Sequence, residues 1–235
     1  MQRYTYVKLA SNNTNDNILI INTKHYEKST GVRAVSFFVN LPESNAFKGW
    51  QIHYAAGPYD LHLAKKFPEK SFYAQHVDPN GYGAYTGKIS MEMLIETGIH
   101  GSLINHSEFR VGFEVIDKSI HKARDLNFDL VVCAENLEEV TRFAQSGARL
   151  VAYEPPELIG GNISVSTAKP GIIEKAAEIC ENNGARLIVG AGIKTYVDIS
   201  TSLKLGACGG LVASGVVLAS NPSIAITSLI NKELT

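Results

Sequence analysis

The stretch Pro170-Gly-Ile-Ile-Glu-Lys-Ala-Ala-Glu-Ile-Cys-Glu-Asn-Asn-Gly184-Ala-Arg-Leu-Ile-Val189 holds one full structural unit. Ile172, Ile173, Ala176, Ala177 and Cys180 recur at helical spacing, with Glu174, Lys175, Glu178 and Glu181 on the opposite side, so Pro170 to Asn183 predicts an amphipathic helix. Asn183-Gly184 supplies a left-handed stop. The short apolar run Leu187 to Val189 then predicts a strand. Upstream, Asn136 to Gln145 repeats the pattern, with Leu137, Val140, Phe143 and Ala144 inward, an asparagine N-cap and Gly147 at its end.

Working outward, similar runs occur at Asn17 to Asn22, Gln51 to Ala55, Ser71 to Gln75, Ser102 to Asn105, Leu130 to Cys133, Leu150 to Tyr153 and Gly210 to Ala213. Continuous apolar runs of this length suit strands covered on both faces, as in a parallel sheet. Strings such as Gln145-Ser-Gly-Ala-Arg149 and Lys204-Leu-Gly-Ala-Cys208 precede later strands, so the unit repeats in kind without strict sequence repetition. Eight units predict an α/β fold, a closed (β/α)8 barrel of eight parallel strands with outer helices. The competing architecture is an open, doubly wound sheet. Its support is Gly190-Ala191-Gly192, but the third glycine of a dinucleotide fingerprint and the acidic residue about 20 positions on are missing.

The chain has 235 residues, 45% of them hydrophobic, which suits one large domain over Asn17 to Thr235. Met1 to Asp16 is polar and asparagine-rich and reads as an N-terminal extension of unassigned role. A net charge of −1 gives no reason to expect a nucleic-acid partner. No apolar run approaches the ~20 residues of a membrane helix. Three cysteines, Cys133, Cys180 and Cys208, are widely spaced without a CxxC pattern, so a reducing, cytoplasmic compartment is expected. No metal-ligand spacing stands out, and neither metal nor cofactor is expected.

In a barrel the strand ends converge on one face, so the residues that terminate strands are candidates for chemistry. The first strand ends in Asn22-Thr23-Lys24, where a period of two places Asn22 and Lys24 on one face. The fourth runs into Asn105-His106-Ser107-Glu108, and the sixth ends in Glu154-Pro155-Pro156. The prolines stop the strand, and Gly160-Gly161 lets the far end of the segment bend, so Glu154 reads as a base beneath a hinged flap. Carboxylate, imidazole and ammonium together suit proton abstraction beside a carbonyl. Val189 to Ile193 and Leu211 to Val216 are glycine- and serine-bearing turns leading into helices, suited to a phosphate.

These residues carry a resemblance to the triosephosphate isomerases, and specifically to the archaeal branch of that family. The matching segments are Asn22-Thr-Lys24, Tyr85-Thr86-Gly87-Lys88-Ile89, Asn105-His-Ser-Glu108, Glu154-Pro-Pro-Glu-Leu-Ile-Gly160, Gly190-Ala-Gly192-Ile193 and Ala213-Ser-Gly215. The resemblance implies a TIM barrel that interconverts two triose phosphates without a cofactor. It implies Glu154 as general base, His106 as neutral electrophile, Lys24 as cationic stabiliser and Asn22 as a substrate-orienting donor. Phosphate contacts fall by the same resemblance on Ile159, Gly160, Gly192, Ala213, Ser214 and Gly215. Glu108 matches a carboxylate that pairs with the lysine, and Ser107 one that meets the base when the flap is open. Thr86 matches a loop that enters a neighbouring subunit, which implies a homo-oligomer, a tetramer ahead of a dimer.

The chain departs from the family at Thr23 and at the flap end Gly160-Gly161-Asn162, where relatives usually have Gly-Thr-Gly. Two other readings stay open here. One is a phosphosugar aldolase or synthase forming a Schiff base on a lysine. The other is a barrel that binds a phosphometabolite without catalysis.

Overall fold

The computed structural model describes residues 16–155 and 170–231. Eight strands form a closed parallel barrel in sequence order. They are β1 (Asn17–Asn22), β2 (Trp50–Ala56), β3 (Ser71–Ala74), β4 (Gly101–Ile104), β5 (Asp129–Ala134), β6 (Leu150–Tyr153), β7 (Arg186–Val189) and β8 (Gly209–Val212). Each predicted strand is present, with its ends within one residue of those expected. Among the described residues the helices are α1 (Ala34–Val39), α2 (Met91–Glu96), α3 (Phe113–Asp125), α4 (Leu137–Gln145), α5 (Pro170–Asn182), α6 (Tyr196–Lys204), α7 (Ser214–Val217) and α8 (Pro222–Ile230).

The apolar runs have two jobs. Alternate residues fill the barrel interior, among them Ile18, Ile20, Leu103, Val131, Ala152, Ile188 and Leu211. Their neighbours Leu19, Ile21, Ile52, Ile104, Val132, Val151 and Val189 pack outward against the helices. The predicted stripe of α5 faces the core. Ile173, Ala176 and Cys180 are buried, while Ile172 and Ala177 lie half-buried at its margin. Asn136 caps α4 by accepting the Glu139 N–H at 2.8 Å, and Gly147 and Gly184 adopt φ of +91° and +71° past their helices.

Strand and helix do not alternate throughout. Between β2 and β3 the connection carries one 3-10 turn, Leu61–Lys65, in place of an α-helix. Pro68 disfavours helical geometry at Phe67, and three residues later β3 begins.

The barrel closes by pairing β1 with β8, in register from Ile18↔Gly209 to Ile21↔Val212. At this seam a Cβ on Gly209 would fall 1.8 Å from the Ile18 carbonyl oxygen, so only glycine permits the approach. At the opposite end from the strand C-termini, the ring of Tyr73 fills space that a Cβ on Gly101 would enter at 2.3 Å. The Tyr73 hydroxyl donates to Asp129 Oδ2 at 3.0 Å, and His53 stacks on the same ring with centroids 4.3 Å apart. Burial holds His53 neutral, with its pKa down to about 3.

Candidate active site

The β1 end is built around Asn22, whose side chain is buried. Its Oδ1 accepts the Lys24 backbone N–H at 3.0 Å, folding the chain into a local turn. Lys24 itself sits at φ +47°, in the left-handed region. Strand periodicity therefore does not carry it to the site, because the strand has ended and a side chain-stabilised turn takes over. From there Lys24 Nζ reaches Glu108 Oε1 at 2.6 Å.

The β4 end turns just as sharply. Asn105 has φ +62°, and its amide bridges two elements, donating to the Cys133 carbonyl at 2.9 Å and accepting from Val111 N at 3.1 Å. His106 follows it and is buried. Its Nδ1 accepts the Glu108 backbone N–H at 3.1 Å, so the neutral ring carries its proton on Nε2. That nitrogen lies 3.6 Å from Glu154 Oε1. The His106 pKa is lowered, chiefly by burial and further by the Lys24 charge, while Glu108 works in the opposite direction.

Glu154 extends β6, donating its N–H to the Ala134 carbonyl at 2.8 Å, and is 4% exposed. Its Oε2 has no hydrogen-bond partner among the described residues. Burial raises its pKa to about 7, with the Cys133 thiol hydrogen bond and the charges of Lys24 and Arg110 pulling down and Glu108 pushing up. The carboxylate is packed so closely on β7 that a Cβ at Gly190 would stand 2.5 Å from Glu154 Cγ. Glycine at 190 is thus a condition of the base's placement, as well as a turn residue.

At the ends of β7 and β8, Gly192 has φ +69°, and Ala213 heads α7 in an irregular conformation at φ −138°, ψ −95°. Ser214 and Gly215 are exposed at the first positions of α7, whose amides have no acceptor within the helix. Ser107 is half-buried beside His106, and Glu108 is exposed. Thr86 is exposed on the loop after β3, whose base is tied by Asp78, accepting from Lys88 Nζ at 2.8 Å and Ile89 N at 3.0 Å. Ile159, Gly160 and the rest of the flap expectation, like the extension before Asp16, lie outside the described residues.

Three contributors were missed in the sequence. Gln75 follows β3, and its Nε2 lies 3.1 Å from Asn22 Oδ1 and 3.2 Å from the carbonyl oxygens of Lys24 and Ala55, which share its two protons; its place at a strand end is the sequence signal for it. Cys133 and Asn105 are legible in the sequence as strand ends, and Asn105 as part of a motif, but neither the Cys133 contact with Glu154 nor the Asn105 bridge is. Among the described residues no group of three His, Cys, Asp or Glu is placed to hold a metal ion. No helix among them is long and apolar enough to cross a membrane.

A closed parallel barrel whose C-terminal mouth gathers a buried carboxylate, a neutral imidazole and a lysine defines a (β/α)8-barrel enzyme. A family profile described as Triosephosphate isomerase matches residues 17–232. The chain is 45% identical to the triosephosphate isomerase of Thermoplasma volcanium, over 90% of this chain and 98% of that protein. It is 39% identical to that of Cenarchaeum symbiosum, covering 90% and 96%, and 37% identical to that of Archaeoglobus fulgidus, covering 91% and 96%. The chain belongs to the triosephosphate isomerase family, and these relatives are all archaeal, as the motif resemblance implied.

Proposed function

We propose that residues 17–235 form a single catalytic barrel that interconverts dihydroxyacetone phosphate and D-glyceraldehyde 3-phosphate through an enediolate, in glycolysis and gluconeogenesis in the cytoplasm. The observation that carries this reading is the 3.6 Å approach of His106 Nε2 and Glu154 Oε1, two groups held in opposite roles by their surroundings. Glu154 is a carboxylate made more basic by burial, and His106 an imidazole kept neutral and presenting a proton. That division suits removal of a carbon-bound proton by Glu154 while His106 donates to the developing oxyanion. This enzyme is itself a standard example of that pairing.

In this scheme Lys24 supplies positive charge to the enediolate, and Asn22 orients the substrate. Backbone amides around Gly192, Ala213, Ser214 and Gly215 receive the phosphate, joined by Ile159 and Gly160 of the flap. Glu108 holds Lys24 at rest, and Ser107 is the resting partner of the base. The test is a coupled isomerase assay together with solvent exchange of the substrate C1 proton. Turnover with exchange is expected, and no adduct is expected on borohydride treatment with substrate. Binding without exchange would return the chain to a non-catalytic role, and a trapped lysine adduct would make it a Schiff-base enzyme.

The pH profile follows from the base. Glu154 acts as carboxylate, so kcat/KM of the free enzyme should rise with unit slope on the acid side and level off near pH 7. His106 titrates below its ordinary range and adds a second proton dependence only at lower pH. A profile flat from pH 8 to pH 5 would contradict the assignment of Glu154.

The homo-oligomer, a tetramer ahead of a dimer, is part of the same proposal. Its support here is the exposed loop bearing Thr86, which also exposes the aromatic rings of Tyr82 and Tyr85, at 61% and 48%, a residue type enriched at subunit interfaces. Sedimentation at several protein concentrations, with parallel assays, should show specific activity falling as the assembly dissociates. A fully active monomer would remove the role given to Thr86.

A further inference from the structure

The loop that carries Thr86 is tied to its own chain from neck to tip. Residues 75–90 connect β3 to α2, and those from Tyr82 to Lys88 are exposed. At the neck beneath them stands Asp78, an acidic residue only 4% exposed. Its backbone N–H donates to the Ile89 carbonyl at 2.7 Å, and its Oδ2 accepts the Ile89 N–H at 3.0 Å. Its Oδ1 accepts Lys88 Nζ at 2.8 Å, with His76 Nε2 3.4 Å away. One residue thus joins the two ends of the exposed segment.

The tip turns on itself, the Tyr85 N–H donating to the Gly83 carbonyl at 3.0 Å and the Lys88 N–H to the Tyr85 carbonyl at 3.1 Å. Its flank leans on helices of the same chain. The Tyr82 hydroxyl donates to Glu96 Oε1 of α2 at 2.6 Å. Lys122 of α3 donates to the Pro79 carbonyl at 3.2 Å and pairs with Glu92 of α2 at 2.8 Å.

A loop that orders only on docking subtracts its lost freedom from the affinity, whereas a loop already shaped does not. With so exposed a tip, polar bonds rather than apolar burial must hold the shape. A carboxylate suits that task, because bonds to an ionised acceptor are roughly twice as strong as neutral ones.

We propose that the Thr86 loop is folded on its own subunit before a neighbour arrives, that Asp78 is the latch that closes it, and that the partner it is shaped for is a second copy of this chain. The choice of partner rests on the homo-oligomer reading. The latch stands on contacts within one chain.

The experiment compares the full-length parent with Asp78→Ala, which removes the carboxylate, and Lys88→Met, which removes one of its donors. Chymotrypsin cuts after accessible aromatic residues, so cleavage after Tyr82 and Tyr85, located by mass spectrometry, reports how often the loop opens. The digest is run at a dilution where sedimentation shows single subunits, beside a free peptide of residues 78–90. Cleavage of the parent should be at least ~10-fold slower than that of the peptide. In D78A it should be about 10-fold faster than in the parent, since a bond to a charged group is worth roughly a power of ten or more in an equilibrium constant. K88M, losing one bond of the set, should fall between. The dissociation constant of D78A should rise about 10-fold for each loop docked. Its specific activity once reassembled should stay within about 2-fold of the parent, because Lys88, Ile89 and His76 lie outside the proposed catalytic set.

Thermal melts establish that each variant folds, and K88M carries the test alone should D78A not fold. A parent loop cut as fast as the peptide would overturn the folded state of the free loop. A folded D78A, or K88M in its place, cut no faster than the parent would remove Asp78 as the latch. Faster cleavage with an unchanged dissociation constant would break the link to assembly. A parent that stays a fully active single subunit at every concentration would end the oligomer reading and the partner named here, while the cleavage comparison still decides the latch.

Discussion

Glu154→Gln is expected to lower kcat by at least ~10²-fold while substrate affinity changes much less, the mark of an interaction used in the transition state. The substitution keeps the shape of the side chain, which is needed because Gly190 leaves no slack on one side of it. It removes the one property the site is arranged to enhance. Burial raises the Glu154 pKa to about 7, which makes the carboxylate a stronger base than an exposed one while still leaving it deprotonated in part at neutral pH. An amide has no such basicity, yet it leaves the phosphate grip untouched. Steady-state kinetics in both directions, with C1 proton exchange, would measure the loss. Near-full turnover in the folded variant would end the assignment of Glu154 as base.

His106→Gln should cost on the order of 3 kcal/mol of transition-state stabilisation, the scale for losing one oxyanion donor, or about 10²-fold in kcat. A glutamine has an N–H to offer. It lacks the second ring nitrogen that accepts the Glu108 N–H and so fixes where the Nε2 proton points. The acid limb of the pH profile should persist in this variant, because Glu154 remains. An unchanged rate would move the electrophile to another residue.

The fold was legible because the strands are mostly apolar and covered on both faces, so even four-residue strands such as β6 and β7 stand out from the helices around them. The missing helix between β2 and β3 was less visible, since Leu61 to Lys65 has helical composition and only Pro68 marks how little room it has. Within the site, Glu154, His106, Lys24 and Asn22 each stood at or just beyond a strand end and were marked by local sequence. Gln75 and Asn105 also stand just beyond strand ends, but what they and Cys133 touch was not legible, because each partner is distant in the chain. The Asn105 bridge to the Cys133 carbonyl spans 28 positions, and the Gln75 bond to Asn22 spans 53. Side-chain direction at a turn is likewise invisible to periodicity, which is why Lys24 reached the mouth by a route other than the one expected.

The seam between β1 and β8 also bears on how the chain is made. Ile18 and Gly209 are partners, so the first strand synthesised waits for the last before its outer edge is paired. Until then a nascent chain carries an open strand edge of highly apolar sequence, the kind of surface that recruits other chains. Long-range pairing of this sort is slow to form, since the intervening chain must be ordered first. On the ribosome, the emergence of β8 therefore decides whether a nearly complete sheet becomes a barrel or an aggregate, and Gly209 is the residue on which that closure turns.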